Sequence, residues 1–125
     1  MMHNLKIEAS DELPGIILNR EDGEFMLWGR SIPRNAAAFY RSVLDWVEEY
    51  STNPNPETVF QFRLDYFNTL SHKYVADIFK VLERMQRGGA NIRVIWYYQS
   101  DDEDMKHIGE EFENFLNLRF VFSEY

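Results

Sequence analysis

Apolar and polar positions along the chain alternate in two rhythms, one of two residues and one of three to four. Leu5-Lys6-Ile7-Glu8-Ala9 alternates and predicts a short strand. Ile16-Ile17-Leu18-Asn19 and Phe25-Met26-Leu27-Trp28 flank Arg20-Glu21-Asp22-Gly23-Glu24. Asp22-Gly23 is a strong hairpin signal, so these two runs are expected to pair antiparallel. Gly29 marks a bulge or the end of that strand. Pro33 and Asn35 then introduce a helix whose apolar side chains recur at Ala36, Tyr40, Val43, Val47 and Tyr50, widened by Phe39, Leu44 and Trp46. Asn53-Pro54-Asn55-Pro56 stops it. Thr58 to Leu64 is β-branched and aromatic and predicts a strand.

A second helix is expected from about Ser71 to Arg87. Tyr74, Ile78, Leu82 and Met85 form one row, with Val75 and Phe79 beside it. Gly88-Gly89 closes it as a C-cap pair. Asn91 to Tyr97 predicts a strand, and Asp101-Asp102-Glu103-Asp104 opens a third helix striped by Met105, Ile108, Phe112 and Phe115. Leu118 to Phe122 predicts the last strand. The order β-β-β-α-β-α-β-α-β implies a leading antiparallel hairpin followed by right-handed parallel crossovers. The expected fold class is α/β: a compact sandwich, its mixed sheet covered by three helices with single apolar stripes. Neither an internal repeat nor a low-complexity tract interrupts the chain.

Its 125 residues fit one domain, 1–125. Hydrophobic residues make up 45% and aromatics 16%, enough for a packed core rather than disorder. There is no cysteine, which excludes disulfides and thiolate metal sites and gives no argument for secretion. Met1-Met2-His3-Asn4-Leu5-Lys6 lacks the plan of a signal peptide, and no apolar run reaches membrane-spanning length. A soluble, cytoplasmic protein is expected, without a membrane partner. The formal charge of −8, with dispersed Lys and Arg, disfavours nucleic acid as a partner.

Candidate chemistry narrows quickly. Asp101 to Asp104 lack the alternating ligands and glycine turn of a Ca²⁺ loop, and acids in a first helical turn suit the helix dipole. His3, His72 and His107 show no metal spacing, and His72 beside Ser71 does not make a nucleophile–base pair. Gly88-Gly89 lacks the lysine and following helix of a phosphate loop. Neither a metal nor a cofactor is expected.

The richest stretch is Leu64-Asp65-Tyr66-Phe67-Asn68-Thr69-Leu70-Ser71-His72-Lys73, where a strand gives way to a helix. Asn, Ser and Thr there are favoured capping residues. A hydroxyl at that place is also a candidate phosphorylation site, since bare N–H groups and the helix dipole receive an anion while Asp65 repels it. The two readings are compatible. Tyr66, Phe67 and Tyr98 near strand ends are candidate anchors for a protein partner.

A strand, a hydroxyl-bearing turn and a helix resemble the STAS domains of anti-sigma factor antagonists. The closer resemblance is to the SiaC-type regulatory phosphoproteins. It is carried by Val43-Leu44-Asp45-Trp46-Val47-Glu48, Leu64 to Lys73 around Asn68-Thr69, and Asp77 to Glu83. Gly88-Gly89, Trp96-Tyr97-Tyr98 and Glu110-Glu111-Phe112 continue it in order over nearly the whole chain. The resemblance implies a STAS-like fold and a non-enzymatic partner-switching protein. It implies a kinase that phosphorylates Thr69 and a PP2C-like phosphatase that reverses this. It also implies a diguanylate cyclase, bound and activated by the unmodified form in cyclic di-GMP and biofilm control. Leu70 stands where a second small hydroxyl residue is expected, which removes an alternative acceptor. The partner-binding face is expected at Asp65, Tyr66, Phe67, Asn68, Leu70, Ser71, His72 and Lys73. The alternative reading is a small nucleotide- or anion-binding domain, or a small enzyme, with its site at the strand ends.

Overall fold

A computed structural model describes residues 3–125; Met1 and Met2, the first residues of the segment read for a leader, lie outside the described residues. The strands are β1 (Leu5–Ile7), β2 (Gly15–Asn19), β3 (Glu24–Ser31), β4 (Glu57–Phe67), β5 (Asn91–Tyr98) and β6 (Arg119–Glu124). The helices are α1 (Ala36–Ser51), α2 (Thr69–Arg87) and α3 (Glu103–Phe115). All strands join one mixed sheet whose spatial order is the chain order. β1, β2 and β3 pair antiparallel; β3 to β6 run parallel. The α/β class, the leading hairpin and the parallel crossovers are as the sequence predicts.

With strand order equal to chain order, every right-handed crossover sets its helix on the same side of the sheet. The core lies in that single interlayer. Inward residues of the strands, among them Leu18, Phe25, Phe60, Val94 and Phe120, form a continuous register row across the sheet. Tyr40, Val43, Val47, Ile78, Phe79 and Leu82 pack on them from α1 and α2 and are sealed from solvent.

The ends of elements depart from the sequence reading in instructive ways. β3 does not stop at Gly29. That glycine has φ +89°, the register shifts between Gly29 and Arg30, and the strand continues to Ser31. A bulge turns the chain without ending its pairing. β4 gains a matching extension, with Arg30 opposite Tyr66 and Ser31 opposite Phe67. Consequently α2 opens at Thr69 rather than Ser71. Its far end is as expected. Gly89, at φ +107°, donates to Gln86 O (3.0 Å), and Ala90 N donates to Met85 O (3.2 Å), the paired bonds of a Schellman ending. One stripe position is corrected. Phe115 is the last residue of α3 and stands 88% exposed, while Met105 and Phe112 of the same stripe are buried.

Candidate functional site

The Leu64–Lys73 stretch is built around the end of β3. Asn68 is the N-cap of α2, its Oδ1 accepting from Ser71 N (2.9 Å) and its carbonyl from His72 N (3.0 Å). Its own N–H donates to Ser31 O (3.1 Å), bolting the cap to the last residue of β3. Thr69 and Leu70 occupy the first two helical positions, whose amides have no carbonyl one turn back within the helix.

Side chains then divide by direction. Ser71 is fully buried. Its hydroxyl donates to Ser31 O (3.0 Å) and accepts from Ser31 Oγ (2.8 Å). Ser31 Oγ has thereby used its proton, so Tyr40 Oη donates to it (2.6 Å). A directed chain of hydroxyls runs Tyr40, Ser31, Ser71 and back to the Ser31 carbonyl, joining α1, β3 and α2. Burial pushes the Tyr40 hydroxyl above its ordinary pKa, with the Ser31 and Ser71 bonds opposing.

Thr69 points the other way. It is exposed, and its hydroxyl has no hydrogen-bond partner among the described residues. Tyr66 and Leu70 beside it are 50% and 58% exposed, far above the usual level for large apolar side chains. Lys73 is exposed, its Nζ 5.4 Å from the Tyr74 ring centroid. His72 is stacked between Phe67 (5.8 Å) and Phe112 (4.6 Å), which ties the first turn of α2 to α3. Phe67, Asn68, Thr69, His72 and Ile108 line a shallow hollow of about 380 Å³ there. Asp65 is exposed and accepts from Tyr125 Oη (2.6 Å).

Of the residues expected on this face, Asp65, Tyr66, Leu70, His72 and Lys73 are accessible. Phe67, at 8% exposure, and Ser71 instead face inward and support the turn from beneath. Tyr98, also read as an anchor, is half-buried with Lys106 Nζ 5.6 Å from its ring centroid. Ser31 and Tyr40 were not legible as parts of this turn. They lie 40 and 31 positions from Ser71 in sequence, and no local pattern joins them. Among the described residues the sheet order has no reversal point of the kind that opens a nucleotide crevice between diverging crossovers.

Comparisons with known proteins agree with this architecture. The structure of SiaC of Pseudomonas aeruginosa superposes with a TM-score of 0.90 at 27% identity, covering 99% of this chain and 100% of that one. A crystal structure of the diguanylate cyclase SiaD in complex with its activator SiaC, from the same organism, contains a chain matching at a TM-score of 0.91 and 28% identity. That match covers 97% of this chain and 99% of the other. An uncharacterized protein of Pseudomonas aeruginosa strain UCBPP-PA14 is 29% identical over 120 residues, covering 96% of this chain and 95% of its own length. The family model for SiaC family regulatory phosphoproteins matches residues 7–125. With that match spanning nearly the whole sequence, the chain belongs to the SiaC family of regulatory phosphoproteins.

Proposed function

We propose that this protein is a non-catalytic switch whose unmodified Thr69 face binds and activates a protein effector, and that phosphorylation of Thr69 releases it. The observation that carries the reading is the Thr69 hydroxyl, which stands exposed and unbonded beside exposed Tyr66 and Leu70 on a turn otherwise tied down. A kinase reaches such a hydroxyl without unfolding the helix. The phosphate finds the free amides of the first turn at the positive end of the helix dipole, so the modified turn keeps its shape. What changes is the surface: about two negative charges appear where apolar side chains await a partner. Burying that charge in an interface, unpaired, is strongly unfavourable.

The effector proposed is a diguanylate cyclase, on the strength of the solved complex of the Pseudomonas relative with its cyclase. A kinase and a PP2C-like phosphatase would write and erase the mark in the cytoplasm, where ATP is at hand. The test uses Thr69→Ala and Thr69→Glu proteins as baits in a native-host extract, followed by affinity measurement with the captured cyclase. Thr69→Ala should bind like the unmodified protein and take up no phosphate. Thr69→Glu should bind roughly a hundredfold more weakly, about 2.7 kcal/mol. Normal binding by Thr69→Glu, with phosphate mapped to another residue, overturns the assignment.

A further inference from the structure

Two basic residues of α2 have carboxylate partners: Lys80 lies 3.9 Å from Asp77, and Arg84 reaches across to Glu48 of α1. Lys73 has none among the described residues. Its side chain is exposed, and its amine rests 5.4 Å from the Tyr74 ring centroid. Two carboxylates are near it in sequence, and neither is placed to take it. Asp77 is one turn further on, but Lys80 engages it, and an anion C-terminal to a cation is the weaker order on a helix. Asp65 precedes the helix and accepts from Tyr125 Oη (2.6 Å). One turn back from Lys73, at the same spacing and in the stronger order, stands Thr69.

Helix geometry gives this spacing a direction. α2 begins at Thr69, and at about 100° per residue Lys73 falls between Thr69 and Leu70 around the axis. Leu70 is the exposed apolar residue of the turn. His72 falls on the other side of Thr69, in the hollow toward α3, where its ring is held between Phe67 and Phe112. A group added to Thr69 therefore meets an uncommitted ammonium on one side and an imidazole with both faces occupied on the other.

We infer that Lys73 receives a phosphate carried by Thr69 and draws it over Leu70, onto the apolar side of the turn. This rests on Thr69 as the phosphorylated residue and adds what directs the phosphate once it is there. Lys73 is a positioning residue and takes no part in the transfer. Cβ atoms at this spacing are about 5–6 Å apart, a gap that the four-carbon stem of lysine closes. A phosphate has three terminal oxygens, so a bond to Lys73 leaves others for the amides of the first turn. Even paired, a dianion leaves about one net negative charge beside Leu70, where an apolar partner surface would have to bury it.

Phosphothreonine inserted at position 69 during synthesis tests this in the full chain without a kinase. The phosphorus resonance is followed through a pH titration at low salt. The second pKa of such a phosphate is ordinarily about 6. Pairing with Lys73 should hold it about half a unit lower than in the same phosphoprotein carrying Lys73→Gln. Lys73→Arg should keep the low value. Lys80→Gln, about three turns from Thr69, should leave it unchanged. Added salt should narrow the gap. Asp65 of β4 and His72 of α2 are the same in every variant, and α3 faces the turn with Ile108 and Phe112, so the difference isolates Lys73. Equal values in the parent and Lys73→Gln overturn the inference and leave the role of Thr69 untouched. A gap of the same size from Lys80→Gln overturns it too. Phosphate mapped to another residue in the host strikes the Thr69 reading itself, and this inference with it.

Discussion

Two hydroxyls two residues apart have opposite fates at the entrance of α2, and the difference is measurable. Ser71 is fully buried and makes bonds on both sides of its oxygen. Ser71→Ala removes the acceptor for Ser31 Oγ and leaves the buried Ser31–Tyr40 pair with two hydroxyl protons and one hydrogen bond between them, at a cost of about 1–3 kcal/mol. A fall of several degrees in the melting temperature checks this. Thr69→Ala, losing an exposed side chain without a partner, should change stability by less than about 0.5 kcal/mol. The same hydroxyl chain leaves a signature in alkali. Tyr40 is held above its ordinary 10.0 by burial. The unfolded state therefore ionises first. The stability this contributes is fully present below about pH 10 and is lost as pH rises from there through the folded value. Urea midpoints measured on either side of pH 10 should fall, and Tyr40→Phe should flatten the fall. What remains in Tyr40→Phe includes Tyr125. Burial raises its pKa first and the Asp65 bond and charge raise it further, against Arg63.

Elements whose rules are local were legible from sequence alone. Asp22-Gly23 makes a turn because Gly23 takes φ +67° there, and the stripe of α2 faces inward because its period matches the helix. Elements whose limits are set by a distant partner were not. The last residues of β4 are a strand only because Arg30 and Ser31 reach past the Gly29 bulge to pair with Tyr66 and Phe67. That shift moves the helix start onto Thr69, so the exact place of the candidate acceptor was invisible to local propensity. The cap itself follows the local rule. Asn68→Ala should cost about 1 kcal/mol and speed amide exchange in the first turn of α2, with the last turn unaffected. Gly109 went unnoticed for the same reason as Ser31. It sits in the buried face of α3, where a Cβ would meet the Trp96 ring at 2.5 Å and Phe122 at 2.8 Å. Gly109→Ala gains helix propensity yet should lose about 1–3 kcal/mol overall by pushing α3 off the sheet.

At the scale of the molecule, one topological fact separates the two faces of the sheet. Because the strand order repeats the chain order, all the helices fall on one side. The parallel crossovers were readable from the alternation of strands and helices. The vacancy of the opposite face was only hinted at by Gln61 and Arg63 in β4, since alternation in one strand does not say how its neighbours are ordered. The Thr69 turn is anchored to Ser31, α1 and α3, and the open face is built from side chains of β2 to β6. Thr69 and Val121 share no side-chain partner, and changes at such positions add within about 0.5 kcal/mol. Thr69→Glu combined with Val121→Lys should therefore destabilise the fold by the sum of the single changes in urea titrations. The slope of each titration should be unchanged, since neither substitution alters the surface exposed on unfolding. A coupling well beyond that bound would mean that the sheet transmits a change at residue 69 from its covered face to its open one.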